Sequence, residues 1–341
     1  MACQKNSTTT PDPNPTTNTY DFSAVTAYVN ANLSKYNGNV VVMVSQNGKI
    51  IYSKNWGTFT ENTLQPVASA SKWLSAGVIM SLVDEGKLSL NDTLGKFLPL
   101  FTKNKKGNIT IRQCFSHTSG YPGDSPEGFE SRKDLSLAQA VDSLAEKTKV
   151  LYVPGKSFYY GGVGMQIAGR VAEVVSGKVW QTLFDERVAT PCNLGAIYSS
   201  VKNPLIAGGA ITTPRSYLNF LEMIVNKGTF NGKRVLSENA ISEMLKDQTN
   251  GAVIAYSPYA GGNLYSPYDN KVIRYGIGNW RDVVVPATDE AEESSSPGLF
   301  GTHPWRGSKH NVAGIIFTYS DYLTVRSENL KIRQLVREQL K

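Results

Sequence analysis

The segment PVASASKWLSAG, residues 66–77, holds three serines and one lysine at the start of a helical pattern. Ser69 and Lys72 are three residues apart, so on a helix they share one face, one turn apart. A serine hydroxyl is a weak nucleophile until a neighbouring base takes its proton. A lysine becomes that base when burial or nearby positive charge lowers its pKa from about 10.4. The small and apolar residues 73–86 predict a buried helix, which would provide such burial.

The same spacing occurs once more, at Ser199 and Lys202. This second pair lies between turn-forming segments, PCNLG and NPLIAGG, and no helical pattern follows it. In the first pair, Ser71 adjoins Lys72 and would point to another face, while Ser75 lies one turn deeper. We therefore predict Ser69 as the nucleophile and interpret the second pair as a chance occurrence.

Composition indicates a soluble globular protein. The chain has 341 residues, 40% hydrophobic and 18% charged, with a net charge of +7. Lysines and arginines are spread along the sequence, and only KNKKG at 103–107 is a dense cluster, so no nucleic-acid partner is predicted. No apolar run approaches the roughly 20 residues that span a bilayer.

Cysteine and histidine spacing gives no sign of a metal site. Neither a Cys-x-x-Cys pair nor a His-x-x-x-His pair occurs, and no cofactor is predicted. The residues concerned are Cys3, Cys114, Cys192, His117, His303 and His310.

Residues 1–19 are rich in Ser, Thr, Pro and Asn and predict a disordered tether. Cys3, followed by this polar stretch, resembles the processed start of a bacterial lipoprotein; the alternative is a chance cysteine in a flexible tail. The first interpretation predicts an extracytoplasmic protein, periplasmic or held at the outer membrane, whose only membrane contact is a lipid on Cys3.

Hydrophobic periodicity predicts several helices and strands along residues 20–341. The predicted helices are 21–36, 72–86, 137–148, 163–177, 214–227, 237–246 and 327–340. Asn47-Gly48 predicts a hairpin turn, and later strands are predicted at 273–284, 297–302 and 311–319.

Strands at both chain ends with helices between them predict an α/β (α+β) fold. We expect one mostly antiparallel sheet, built from both chain ends, flanked by helices and joined to an inserted helical lobe. The predicted sheet lobe takes in about 20–72 and 272–341, and the helical lobe about 73–271. A site is expected where the lobes meet. The YSPY segments at 256–259 and 265–268 predict a long loop, either functional or a structured surface excursion.

A series of motifs, in this order, resembles the serine β-lactamase and penicillin-binding-protein superfamily, particularly its class C-like branch with related esterases. After Ser69-x-x-Lys72 the matching segments are residues 82–99, ITIRQCFSHTSGYPG (109–123), PGKSFYYGG (154–162) and residues 207–237. The resemblance covers about residues 20–341 and implies a β-lactamase/transpeptidase-like fold.

The resemblance implies that Ser69 is the nucleophile and Lys72 its partner amine. The family pattern Pro-Gly-x-x-Phe-x-Tyr places the catalytic tyrosine at Tyr160 and not at Tyr159. A phenol near polar or positive neighbours is expected to lose its proton more easily and serve as a base.

Two departures from the family pattern bear on substrate choice. Gly161-Gly162 stands where the tyrosine is usually followed by x-Asn, and Ser296-Pro297-Gly298 stands where the family has Lys or His, then Thr-Gly. In this alignment the backbone N–H groups of Ser69 and Leu299 form the oxyanion hole. The predicted substrate-binding residues are Tyr121, Gly161, Gly298, His303 and Trp305. His117 is expected to be structural.

Three functions remain open on the sequence. The first is a carboxylesterase acting on small esters through an acyl-enzyme on Ser69. The second is an amide hydrolase acting on β-lactams, D-amino-acid peptides or linear amides, and the third is a non-catalytic binding protein on the same scaffold. The expected partner is a small ester or amide substrate, and the oligomeric state is not predicted.

Overall fold

A computed structural model describes residues 20–259 and 274–340. Its α-helices are α1 (Ser23–Asn32), α2 (Ser71–Asp84), α3 (Leu94–Phe97), α4 (Pro99–Lys103), α5 (Ile111–Phe115), α6 (Leu137–Lys147), α7 (Val163–Ser176), α8 (Trp180–Phe184), α9 (Pro214–Val225), α10 (Glu238–Leu245) and α11 (Tyr322–Gln339). Its strands are β1 (Val40–Gln46), β2 (Lys49–Trp56), β3 (Gln65–Pro66), β4 (Ser157–Tyr159), β5 (Ala196–Tyr198), β6 (Ala210–Thr212), β7 (Thr229–Phe230), β8 (Lys233–Arg234), β9 (Val253–Tyr256), β10 (Trp280–Val285), β11 (Glu290–Ser295), β12 (His303–Gly307) and β13 (Val312–Thr318). None of the helices in the described ranges has the length and hydrophobicity of a membrane-spanning segment.

The main sheet joins the two ends of the chain, as the sequence predicts. Six strands lie in the order β10-β11-β12-β13-β1-β2, and every neighbouring pair is antiparallel. Strand β1, near the start, pairs with β13, near the end. The hairpin between β1 and β2 turns at Asn47-Gly48, where both residues have positive φ, the geometry that matches strand twist.

Both faces of this sheet are covered, which explains why β1 is a continuous apolar run. Val40, Val42 and Val44 face a core shared with α1 and α11. Val41 and Met43 face the larger core, which contains α2 and α9. Alternate residues of a strand point to opposite faces, so each face of β1 buries its own set of side chains.

The predicted helices within the helical region are confirmed with small shifts at their ends, as α2, α6, α7, α9 and α10. Several begin at side-chain caps that the sequence contains. Ser136 and Thr213 accept hydrogen bonds from backbone N–H groups in the first turns of α6 and α9. The closing helix begins at Tyr322, five residues before the predicted start, because Asp321 caps it.

The prediction of a strand at 297–302 is wrong. Residues 296–302 form a turn, with Gly298 N–H donating to the Thr302 carbonyl at 2.8 Å, and the strand begins at His303. The sequence patterns also miss β11, EAEESS, because charged and polar residues fill it. Its Glu293 carboxylate is paired with Arg333 and Arg337 of α11, so ion pairs replace apolar burial on that face.

Candidate active site

Ser69 and Lys72 lie together at the start of the central helix. Ser69 belongs to a 3₁₀ turn, Ala68–Ala70, that leads directly into α2. The Lys72 amine donates to Ser69 Oγ at 2.9 Å. Ala68, just before the serine, has φ +46°, a left-handed conformation that non-glycine residues rarely adopt and that clusters at functional sites.

The Lys72 amine is held in a desolvated position. Twelve of the fourteen residues of α2 are buried, and Lys72 is 3% exposed. Its amine also donates to the Ala207 carbonyl at 3.0 Å. Burial lowers the pKa of Lys72 from 10.5 to about 7, and the negative charge of Asp124 opposes part of that change. A substantial fraction of the amine is therefore neutral near pH 7 and able to accept a proton.

Tyr160 lies next to both Lys72 and Ser69. It follows β4, which pairs with β9, and its N–H donates to the Tyr256 carbonyl at 3.2 Å. The Lys72 amine lies 4.6 Å from the centroid of the Tyr160 ring. Trp280 stacks on the tyrosine ring, with centroids 5.3 Å apart and planes 26° from parallel. Packing thus fixes the phenol beside the serine–lysine pair.

The expectation that Tyr160 loses its proton easily is wrong for the protein without substrate. Burial raises the pKa of Tyr160 above its usual value of 10, and polar contacts with Ser69, Trp280 and Tyr259 oppose only part of that rise. The phenol is neutral near pH 7. Lys72 is therefore the better resting base, and Tyr160 is suited to pass on or donate a proton.

The turn at 296–302 lies directly against the serine. Ser296 Oγ donates to the Ser69 carbonyl at 3.3 Å. A Cβ on Gly298 would lie 2.1 Å from the Val67 carbonyl oxygen, so only glycine allows this approach. Leu299, at the tip of the turn, is exposed. This places Ser296-Pro297-Gly298 beside Ser69, as the alignment implies; the oxyanion-hole role of the Ser69 and Leu299 N–H groups stays a prediction.

The two glycines after Tyr160 differ in their surroundings. A Cβ on Gly161 would lie 2.0 Å from Gly123 Cα, so the backbones at Gly123 and Gly161 cross without room for a side chain. A Cβ on Gly162 would meet only ordinary contacts, 3.6 Å from Ala207 Cβ and 3.7 Å from Asp124 Oδ1. Gly161 is thus required by packing, whereas a methyl group could be accommodated at buried Gly162.

His117 supports the backbone of this site. Its Nδ1 accepts from the Gly161 N–H at 3.4 Å, and its ring lies 4.5 Å from the Tyr160 ring. Burial, with a contribution from Lys72, lowers the pKa of His117 well below 6.5. The imidazole is therefore neutral and packed against Tyr160, in keeping with the structural interpretation.

Three predicted substrate-binding residues lie in packed interiors. Tyr121 is buried in the larger core, with Lys106 Nζ 5.9 Å from its ring centroid. His303 is fully buried, and its Nε2 lies 3.1 Å from Arg333 Nη1. Trp305 packs in the core beneath α11. Because all three side chains are buried, the structure does not support direct substrate contact by them. The sequence alone does not distinguish a residue of a cleft wall from a residue of the core.

The other serines are occupied elsewhere. Ser71 Oγ accepts from the Ala210 N–H at 2.9 Å, and Ser75 Oγ donates to the Ile206 carbonyl at 2.7 Å. Ser199 and Lys202 lie exposed in a turn, and the Lys202 amine donates to the Asp134 carbonyl at 2.5 Å. The choice of Ser69 agrees with this geometry.

Sequence reasoning missed three neighbours of the reactive group: Ala207, Trp280 and Asp124. Ala207 acts through its carbonyl, which no side-chain pattern reveals, although it opens the matching segment 207–237. Trp280 and Asp124 come from distant parts of the chain. The first YSPY segment adds Tyr259, whose ring lies 6.5 Å from that of Tyr160; the second, 265–268, lies outside the described residues. Among the described residues, no three His, Cys, Asp or Glu side chains lie together so that they could hold a metal ion.

Comparison with known proteins identifies the family. The sequence profile described as Beta-lactamase matches residues 29–334. The chain belongs to the beta-lactamase family. Solved structures named as a hydrolase with acyltransferase activity and as a penicillin-binding protein homolog from Caulobacter crescentus, each 18% identical, share its fold.

Similar proteins of this family differ in what they are named for. A solved structure from Bacteroides dorei DSM 17855, provisionally named a beta-lactamase, is 31% identical, with a TM-score of 0.83 over 94% of this chain and 99% of that one. A family VIII carboxylesterase is 18% identical, with a TM-score of 0.70 over 94% and 97% of the two chains, which shows a shared fold. Protein flp of Staphylococcus aureus (strain COL) is 29% identical over 152 residues, 40% of this chain. The match spans only 29% of the length of that curated relative.

Proposed function

We propose that this protein is a carboxylesterase that hydrolyses small esters through an acyl-enzyme on Ser69. The observation that carries the proposal is the 2.9 Å contact between Ser69 Oγ and the amine of Lys72, a buried lysine with a pKa of about 7. Because a substantial fraction of this amine is neutral near pH 7 and it lies within hydrogen-bond reach of the hydroxyl, it meets both requirements of a general base.

The proposed reaction proceeds by acyl transfer to the serine and then to water. Ser69 Oγ bonds to the substrate carbonyl carbon as its proton passes to Lys72. Collapse of the tetrahedral intermediate breaks the bond to the alkoxide, which receives that proton by way of Tyr160. Water then attacks the acyl-enzyme with the same groups moving the proton, and the acid leaves. Oxyanion-hole donors of the kind assigned to the Ser69 and Leu299 N–H groups are each worth roughly 3 kcal/mol.

The surroundings favour esters over β-lactams and D-alanyl peptides. Ser296 supplies no positive charge to hold a substrate carboxylate, and Gly162 supplies no side-chain amide. Each missing charge-assisted hydrogen bond forfeits about 1.5 to 3 kcal/mol, or about one to two decades in kcat/KM. An ester needs neither anchor, because its alkoxide leaves readily.

Amide hydrolysis is the second candidate, and a specific similarity favours it. The Bacteroides dorei relative, which matches almost the whole chain, is provisionally named a beta-lactamase. A chromogenic cephalosporin therefore belongs in the same assay as the esters. A kcat/KM for the cephalosporin at or above that of the best ester would select the amide hydrolase.

The deciding experiment measures turnover of short-chain p-nitrophenyl esters by wild type, Ser69→Ala and Ser199→Ala. Ser199 is the matched control because it is exposed and has the same Ser-x-x-Lys spacing. We expect a loss of about 10⁴-fold or more in kcat for Ser69→Ala and little change for Ser199→Ala. Mass spectrometry after fluorophosphonate labelling should find the adduct on Ser69. An adduct on another residue would refute the assignment.

Placement outside the cytoplasm is a further part of the proposal. It is supported by Cys3 and the Ser/Thr/Pro-rich sequence after it, which lie outside the described residues. Metabolic labelling with a fatty-acid analogue in the native host tests it: a lipid on Cys3 supports the placement, and an unlipidated cysteine refutes it. The proposed partners are small ester or amide molecules, without nucleic acid.

A further inference from the structure

Asp124 presents an exposed carboxylate at the edge of the proposed active site. Its Oδ1 lies 3.7 Å from the position that a Cβ on Gly162 would occupy, and Ala207 Cβ lies 3.6 Å from the same position. Asp124 and Ala207 therefore lie close together beside buried Gly162, and the Asp124 carboxylate is exposed next to them. A substrate group can approach this carboxylate from solvent.

The exposed carboxylate lies near the reacting atoms. The Ala207 carbonyl accepts from the Lys72 amine at 3.0 Å, and that amine reaches Ser69 Oγ at 2.9 Å. The charge of Asp124 also acts on Lys72 directly, favouring its protonated form. A substrate whose carbonyl contacts Ser69 could therefore place another of its groups against the Asp124 carboxylate.

No hydrogen bond or salt bridge engages the Asp124 carboxylate in the described part of the chain. The loop that carries it is nevertheless held in place. Glu130, buried, accepts from Ser125 Oγ at 2.6 Å and from the Ser125 N–H at 3.1 Å. The loop is thus fixed through Ser125, next in the chain, while Asp124 itself stays available to a ligand.

Apart from Lys72, the charged side chains that the described part of the structure places beside Gly162 are acidic. Glu130 Cγ lies 3.9 Å from the Cβ position of Gly162, and Ser296, which is uncharged, contacts the Ser69 carbonyl. Lys72 is buried, with both its described hydrogen bonds directed to Ser69 and Ala207. An ammonium group would gain from this field, whereas a carboxylate would be repelled.

We propose that Asp124 makes this enzyme selective for esters that carry a positively charged ammonium group. The proposal rests on the ester hydrolase function argued above and names its substrate class. The ammonium would pair with the exposed Asp124 carboxylate at the edge of the site while the carbonyl contacts Ser69. Asp124 is thus a specificity-determining residue, and Glu130 positions the loop through Ser125.

The test compares two thioesters of the same size and shape, butyrylthiocholine and 3,3-dimethylbutyl thiobutyrate. They differ in the charge of the quaternary atom, and the same thiol assay follows both. At pH 8 most Lys72 amines are neutral, and the ratio of the two kcat/KM values cancels any effect of a variant on Lys72. A cation about 5 Å from a carboxylate in water gains about fourfold, and more where water is partly excluded.

We expect wild type to prefer the cationic thioester by about fourfold or more and Asp124→Asn to lose that preference. Glu127→Gln, which removes the same charge from an exposed position of the same loop, should keep it. Added salt should reduce the wild-type ratio. A wild-type ratio near one, or an unchanged ratio in Asp124→Asn, would overturn the proposal while leaving ester hydrolysis intact.

If neither thioester is hydrolysed, the proposed esterase function fails, and binding still decides the role of Asp124. An aryl boronic acid with an aminomethyl substituent and its ethyl counterpart both bond reversibly to an active-site serine. Calorimetry should show tighter binding of the aminomethyl compound to wild type and equal binding of the two to Asp124→Asn. Equal binding to wild type would refute the charge selectivity.

Discussion

Ester hydrolysis should become faster with rising pH as Lys72 loses its proton. Burial lowers the pKa of this amine from 10.5 to about 7. If the neutral amine is the base, kcat/KM follows its fraction: about a tenth of the plateau at pH 6, about half at pH 7 and nearly all at pH 9.

The size of this effect comes from the buried position of the amine. A lowering from 10.5 to about 7 corresponds to about 5 kcal/mol of lost preference for the charged form. With its pKa in water, well under a thousandth of the amine would be neutral at pH 7. Burial of Lys72 along α2 therefore raises the reactive fraction more than a thousandfold.

The assay is the pH profile of kcat/KM for a p-nitrophenyl ester, recorded at the isosbestic wavelength because p-nitrophenol itself titrates near pH 7. Asp124 favours the charged amine, so Asp124→Asn should move the acidic limb to lower pH. Lys202→Ala, a change in the exposed second pair, should leave the profile unchanged. A flat profile between pH 5.5 and 9, or a shift to higher pH in Asp124→Asn, would refute the assignment of Lys72 as the base.

Three further outcomes are expected. Tyr160→Phe should lower kcat by several orders of magnitude, whereas Tyr159→Phe should be mild; comparable losses would show that the tyrosine assignment is wrong. Gly161→Ala should lower the free energy of unfolding by about 1 to 3 kcal/mol or more, because its Cβ would lie 2.0 Å from a backbone atom. Gly162→Ala should leave the free energy of unfolding, measured in urea, nearly unchanged. Equal decreases in the free energy of unfolding for the two variants would contradict the packing argument. Between pH 7 and 10.5 the unfolded chain binds more protons at Lys72 than the folded protein does. The free energy of unfolding of wild type should therefore rise by about 2 kcal/mol from pH 7 to 9 relative to that of Lys72→Met. Parallel plots of the free energy of unfolding against pH for the two proteins would contradict the lowered pKa.

Local signals in the sequence predicted much of the fold. Asn47-Gly48 marks a real hairpin, since a two-residue turn depends on the residues within it. The prediction of a strand at 297–302 is wrong because Gly298 is required for a close approach to Val67, which is far away in the chain. The sequence pattern did not predict strand β11, because its Glu293 is stabilised by arginines about forty residues later in the chain. Errors arose where a distant partner decided the local structure.

For the candidate site, too, some features could be predicted from the sequence and others depended on the tertiary structure. The sequence by itself determined the residue types and short spacings: Ser69 with Lys72 on one helical turn, and Tyr160 after its Pro-Gly-x-x-Phe-x pattern. These depend on neighbours a few residues apart, which the order of the chain already specifies.

Only the tertiary structure decided the electrostatic character of these groups. Desolvation depends on everything packed around an atom, and charge acts through space. Burial lowers the pKa of Lys72 and raises that of Tyr160, so near pH 7 the lysine is the better base of the two and the phenol keeps its proton. The fold also places Asp124 beside Gly162, because the loop and the tyrosine segment cross at two glycines. Such proximity between distant segments exists only once the chain has packed.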